Sequence, residues 1–133
     1  MLTPQRVYIE ELLDLGEGTD ADVARNLADL RRINRFLGGR RVVLEALDAL
    51  VGDVDLQQLS LLDVGTGSAD IPGAVADWCR ARGIAGNITA LDLSERNLRI
   101  ARERLGIHAS VQLVRGDSMC LPFADRSVDV VTA

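Results

Sequence analysis

The segment LLDVGTGSADIP, residues 61–72, constrains this chain more than any other. An apolar run ends in Asp63, and Gly65, Gly67 and the small Ala69 follow before a helix opens near Pro72. Glycine reaches positive φ without steric cost, so the pair lets the backbone turn sharply from strand to helix and leaves the main chain open to a ligand. The N–H groups of such a turn, together with the helix N-terminus behind it, favour a carboxylate or a phosphate. A glycine turn also serves as a plain strand-to-helix connection, so the segments downstream must decide what it does here.

Those segments alternate. LSLLDVG, NITALDLS, SVQLVRGD and SVDVVTA are short apolar runs with little period-two alternation, as strands covered on both faces should be. DIPGAVADWCRARG and ERNLRIARERLG lie between them and carry helical spacing. Strand and helix in alternation predict β-α-β units, a parallel sheet and right-handed crossovers. Ser94 is placed to cap the second of these helices.

Residues 1–55 read differently, as a helical leader. Thr3 and Pro4 start a helix that Gly16 and Gly18 stop. Thr19 with Asp22 is a variant of the capping box, and Val23, Leu27, Leu30, Ile33, Asn34 and Leu37 repeat behind it at helical spacing. After Gly38 and Gly39, Val43, Leu44, Leu47, Leu50 and Val51 make a third short helix closed by Gly52.

Three successive strands end in carboxylates: Asp63, Asp92 and Asp117. Strand ends on one side of a parallel sheet are where ligands bind, and an acidic residue after the second strand can accept both hydroxyls of a ribose. Asp92 is therefore expected to be a site residue and not a core one. The competing readings are a loop carboxylate favoured by a helix dipole for Asp92, and a turn aspartate after Gly116 for Asp117.

Composition removes several classes. All fifteen basic residues are arginine, which excludes a phosphate-loop NTPase, a Schiff-base lysine and a lysine general base. One histidine and two cysteines leave no ligand set for a structural zinc, so no metal is assigned. A net charge of −5 disfavours a chain-wide grip on nucleic acid. With neither a secretory leader nor a membrane-spanning run, the chain is expected to be soluble, reduced and cytoplasmic.

Taken in order, LLDVGTGSAD, ALDLS and RGDSMCLPFADRSVDVV resemble the successive cofactor-binding motifs of class I S-adenosylmethionine-dependent methyltransferases, over residues 59–133. The leader segment ADLRRINRFLGGRRVVLEAL is similar to the helical entry of a bacterial subgroup, some of whose members methylate small phenolic or polyketide-like molecules. The resemblance implies an α/β fold, a Rossmann-like doubly wound parallel sheet, with a leader or cap over residues 1–55 and a partial methyltransferase domain over residues 56–133. It implies S-adenosylmethionine as cofactor and a small molecule as methyl acceptor. Asp63, Gly65, Thr66 and Gly67 would surround the methionine part, and Asp92 would hold the ribose hydroxyls with Leu93 beside the adenine. Asp117 would reach the adenine amino group, with Ser118 and Met119 on its rim. No catalytic base is assigned.

Two departures accompany the resemblance. Ala69 stands where the family has a third glycine, a replacement expected to tighten the turn without abolishing binding. Family members also carry more strands than the four read here. The family's order puts these four as third, second, first and fourth, which leaves the fourth at an edge, where an apolar strand invites pairing. The expectation is an N-terminal portion, inactive alone, that forms edge-paired dimers or needs a missing C-terminal segment.

Two rival functions remain. One is a nicotinamide-dependent oxidoreductase, against which Asp70 occupies the last position of the G-x-G-x-x-G pattern, where it would face pyrophosphate. The other is a non-catalytic nucleotide-binding or interaction module. His108 precedes the third strand, at the sheet end opposite the carboxylates, and Cys79, Trp78 and Phe36 read as core or interface residues. Cys120 reads as packing or cofactor rim. The arginines from Arg31 to Arg41 read as a solvated helix face or as a steering patch for an anion or RNA.

Overall fold

The computed structural model describes residues 18–36, 38–106 and 110–133. The expected first helix at Thr3–Leu15, together with Leu37 and His108, lies outside them. The elements run α1 (Asp20–Phe36), α2 (Gly39–Val51), β1 (Gln58–Val64), α3 (Asp70–Arg82), β2 (Ala85–Asp92), α4 (Glu95–Leu105), β3 (Val111–Arg115) and β4 (Val130–Thr132).

Local chemistry explains most of the boundaries. The Thr19 amide and hydroxyl both donate to Asp22 Oδ2, at 3.0 and 2.7 Å, while the Asp22 amide donates to Thr19 Oγ1 at 3.2 Å. This reciprocal pairing satisfies N-terminal donors that α1 would otherwise leave open. α3 begins at Asp70, two residues before the position expected from sequence, and so places Pro72 in its first turn. A proline there costs no helix hydrogen bond. Ser94 caps α4, its Oγ accepting from the Asn97 amide at 3.2 Å.

The four strands form one parallel sheet in the order β3-β2-β1-β4. From β1 the chain steps through α3 to β2 and through α4 to β3, then returns to pair β4 on the other side of β1. The direction of winding thus reverses at β1. β4 is fastened there by a latch: the Ser60 amide and hydroxyl donate to Asp129 Oδ2 at 2.8 and 2.6 Å, and the Asp129 amide donates to Ser60 Oγ at 3.0 Å. The Ser60 donors hold the Asp129 carboxyl below the ordinary carboxylate range.

The core lies where the leader meets the sheet. Leu47 of α2 joins Leu59, Leu61, Val75, Trp78 and Ile88 in one buried cluster. A smaller cluster of Ala69, Ala90, Ala101 and Leu105 packs α4 against the glycine turn. Val23 and Leu27 of α1 are buried, whereas Leu30 and Ile33 on the same apolar stripe are half exposed. Cys79 is buried and Cys120 exposed, both as free thiols. Arg32 and Arg41 pair with Asp29 and Glu45 one turn away on exposed helix surface. Among the described residues no helix is long and apolar enough to cross a membrane.

Candidate functional site

In an open parallel sheet, the strands flanking a reversal of winding leave a crevice at their C-terminal ends. Here that crevice is a cavity of about 350 Å³ between the ends of β1 and β4. The turn from Asp63 to Asp70 forms its floor, with Thr132 on the far side, and Leu27 and Leu30 of α1 and Val43 of α2 supply an apolar wall.

The floor takes its shape from three left-handed residues. Gly65 has φ +71° and Gly67 φ +56°, and Ala69 follows at φ +55°. A Cβ on Gly67 would stand 3.3 Å from Leu27 Cδ2, so glycine is needed there for its backbone angle and for the close approach of α1. Ala69 holds a conformation that costs an L-residue roughly 1–2 kcal/mol. Its methyl, fully buried beside Ala90 and Ala101, offsets about 0.8 kcal/mol of that. The turn therefore keeps the geometry of a glycine turn at the third position without the glycine.

Hydrogen bonds hold the turn from two sides. Asp92, at the end of β2, accepts from the Gly67 amide at 2.8 Å through Oδ2, and from the Ser94 amide at 2.9 Å and Asn97 Nδ2 at 3.3 Å through Oδ1. On the α4 side, Arg104 donates to the Ser68 carbonyl at 3.0 Å and to Asp70 Oδ1 at 2.6 Å. Asp92 is only 7% exposed, so the division of site from core does not hold at this position. Its carboxylate anchors the turn from behind.

Asp63 faces the cavity from the end of β1 and accepts from the Thr132 hydroxyl at 2.6 Å, a bond that ties together the ends of the β1–β4 pair. Burial pushes its carboxyl above the ordinary value. The Thr132 and Thr66 hydroxyls oppose that shift, and the nearby Asp92 charge adds to it. Ionised Asp63 is thus a strained group, and folding is favoured by its neutral form. That contribution is complete below the ordinary carboxylate pKa and is lost as pH rises through the raised one. Asp63→Asn, which keeps an acceptor for Thr132, is expected to melt at a higher temperature than wild type at pH 7. The difference should shrink towards zero as the medium is acidified below about pH 4. Thermal melts across that range check it, and a gap independent of pH would contradict the sign.

Of the residues singled out from sequence, Asp63, Gly65, Thr66 and Gly67 line the cavity. Asp92 lies behind the turn. Leu93, Asp117, Ser118 and Met119 do not line it; they are exposed at the ends of β2 and β3, with Met119 reaching 90% exposure. The Gly116 amide donates to the Asp92 carbonyl at 3.1 Å, which holds these two strand ends together. Asp117 accepts the Met119 amide at 2.8 Å in a local turn. Sequence reasoning missed Thr132, the Arg104 clamp and the wall from α1 and α2. The apolar stripes of the two helices, with Leu27 on the first and Val43 on the second, were the local signals for that wall.

A parallel sheet in the order β3-β2-β1-β4, with a glycine turn and carboxylates at its switch point, defines a Rossmann-like α/β fold whose ligand crevice lies at that point. A family model for the methyltransferase domain matches residues 61–133, and the chain belongs to that family. Demethylmenaquinone methyltransferase of Staphylococcus haemolyticus is 40% identical over 73 residues, covering 52% of this chain and 30% of that protein. The same-named protein of Staphylococcus aureus is 39% identical over 72 residues, covering 51% and 30%. The chain thus spans under a third of the length of these relatives. Among solved structures, an S-adenosyl-L-methionine-dependent methyltransferase fold from Methanococcus maripaludis aligns with a TM-score of 0.57 at 19% identity, covering 81% of this chain and 48% of that one. A Bacillus halodurans protein described as a methyltransferase aligns with a TM-score of 0.50 at 28% identity, covering 66% and 36%.

Proposed function

We propose that this chain carries the cofactor half of an S-adenosylmethionine-dependent methyltransferase with a small, apolar acceptor. The observation that carries the proposal is the switch-point cavity, floored by a glycine turn and faced by Asp63 and Asp70, with no arginine among its described lining residues. A cavity of that charge suits a sulfonium and an ammonium and opposes a pyrophosphate.

The residues present fit the cofactor. Gly65 leaves open space where a side chain would stand, and the turn is held rigid from both sides before any ligand arrives. Asp63, Gly65, Thr66 and Gly67 would hold the methionine part, and Asp92 the ribose. Leu93, Asp117, Ser118 and Met119 would flank the adenine across the exposed ends of β2 and β3. When bound, the cofactor supplies a methyl group on an already activated sulfur. The chain's task is then to orient the acceptor in line with that methyl and to exclude water. Leu27, Leu30 and Val43 suit the second role, and this supports reading residues 1–55 as a cap over the domain of residues 56–133. That apolar wall, and the demethylmenaquinone methyltransferases among the relatives, favour an apolar ring as acceptor.

Equilibrium dialysis tests the cofactor. S-adenosylhomocysteine is expected to bind more tightly than NAD, and the reverse order would replace this proposal with an oxidoreductase.

A further inference from the structure

A second charged feature lies between α4 and β3, away from the switch-point cavity. Glu95, Arg96, Leu98, Arg99 and Arg102 of α4 meet Leu113 and Arg115 of β3 around a groove of about 720 Å³. In a chain of net charge −5, four guanidiniums in one groove reverse the sign locally. Among the described residues, two carboxylates face them. Asp20 is shared between Arg96 at 2.9 Å and Arg99 at 3.4 Å, Glu95 stands 3.5 Å from Arg115, and Arg102 has no side-chain partner among the described residues. The Arg99 and Arg115 side chains are more than half exposed, so a ligand reaches them.

The groove runs beside an open sheet edge. β3 is the outermost strand on its side of the sheet, and its register with β2 is unbroken from Val111 to Arg115. The Ser110 carbonyl accepts from the Ile88 amide at 3.1 Å, and the Gly116 amide donates to the Asp92 carbonyl at 3.1 Å. In a parallel ladder alternate residues turn both main-chain groups towards the same neighbour. The even-numbered residues from 110 to 116 therefore face β2, and Val111, Leu113 and Arg115 turn theirs outwards. Natural edge strands are commonly blunted by proline, by a bulge or by several charges. The VQLVR strand has neither proline nor bulge and carries one charge, at its end. The side chains of Leu113 and Arg115 lie on the α4 side, in the groove itself.

We propose that the β3 edge accepts an added strand from an acidic, extended segment of a partner protein. Main-chain pairing to Val111, Leu113 and Arg115 supplies affinity, and the arginines select carboxylates at alternate positions. The alternation follows from the pleat, because every second side chain of an added strand falls on the α4 side, where Arg99, Arg102 and Arg115 stand. Charge complementarity decides the occupant. A second copy joined edge to edge about a two-fold axis would set one arginine groove beside another, which like charges oppose. A nucleic acid would use the guanidiniums but leave the outward amides and carbonyls of the edge unused. The inference does not depend on which cofactor the cavity takes.

Fluorescence anisotropy with labelled peptides tests it. The probe is a blocked peptide of alternating threonine and glutamate, compared with the threonine–lysine peptide of the same length. The acidic peptide is expected to bind at least about tenfold more tightly, and Arg102→Glu, on the exposed face of α4, should weaken it by about tenfold or more. Two further peptides keep the charge and carry N-methyl groups on all the glutamates or on all the threonines. In an added strand only one of these sets of amides meets β3, so one methylated peptide should lose binding while the other stays within about threefold of the probe. The sensitive set also reports whether the strand adds parallel or antiparallel. This pair needs only the wild-type protein and decides the matter should Arg102→Glu fail to fold. An equal response to both methylated peptides, or unchanged binding by a folded Arg102→Glu, would overturn the added strand. Absence of binding up to millimolar acidic peptide would overturn it too, and tighter binding of an oligouridylate of equal charge would give the groove to nucleic acid instead. None of these outcomes bears on the proposed function, which the dialysis with S-adenosylhomocysteine tests separately.

Discussion

Trp78→Ala is expected to lower the free energy of unfolding by about 3–5 kcal/mol, which is a large part of the roughly 5–15 kcal/mol that holds a domain together. Trp78 is buried on α3 in the cluster that Leu47 joins from α2 and Leu59, Leu61 and Ile88 join from the sheet. Its Nε1 donates to Asp48 Oδ1 at 2.9 Å, and the same oxygen takes Arg82 at 2.5 Å while the Arg82 guanidinium lies 4.4 Å from the ring centroid. The indole is therefore both the filler of the core and the link between the leader and the β-α-β unit. Truncation removes the buried ring and leaves a cavity, and this outweighs the polar part. Trp78→Phe separates the two: it retains most of the apolar area and should cost about 1–2 kcal/mol, the worth of the lost hydrogen bond with minor repacking. Urea unfolding of both variants gives the numbers. A loss below about 1 kcal/mol for the alanine variant would mean that α2 does not share the core.

What the sequence made legible was local. The reciprocal Thr19–Asp22 cap, the Ser94 cap and the turn from Asp63 into α3 depend on residues within a few positions of one another, and each formed, α3 starting two residues before the expected position. Unbroken apolar runs such as LLDV correspond to a β1 buried through Leu61, Leu62 and Asp63. Strand order belonged to the resemblance, since periodicity says nothing about which strand lies next to which. Contacts between distant elements left no trace in the text. Asp70 and Arg104 lie on two different helices, and neither has a spacing that announces the other. The stripe on α1 gave the correct face at Val23 and Leu27. It could not say how far the partner surface extends, and Leu30 on the same stripe stands 48% exposed at the mouth of the cavity. Asp92 is the most instructive case. A carboxylate at a strand end was foreseen, but the Gly67 amide that comes back to meet it is a product of the turn's positive φ angles, and these exist only in three dimensions.

Asp92→Ala should consequently act on the fold and on the ligand together. Removal of the carboxylate deprives the Gly67 and Ser94 amides of their acceptors and leaves Asn97 without one of its contacts. Each unmet donor costs about 1–3 kcal/mol where water is kept out, so a loss of about 2–6 kcal/mol of stability is expected from the two amides. A smaller gain opposes it, because the Asp92 charge bears on Asp63 and its removal relieves that buried carboxyl. If Asp92 also takes the ribose hydroxyls, S-adenosylhomocysteine should bind about 10- to 100-fold more weakly, as loss of a hydrogen bond to a charged acceptor requires. The two effects come apart in Asp92→Asn. The one amide oxygen can still accept from the Gly67 amide, while the NH2 group takes the place of the acceptor of the Ser94 amide, so part of the thermal stability should return while the affinity does not. Restored affinity in Asp92→Asn would assign Asp92 to the turn alone. Unrestored affinity with a melting temperature recovered above that of Asp92→Ala would show that its charge acts on the ligand, since in that variant the bond that holds the Gly67 turn is kept and the charge is missing.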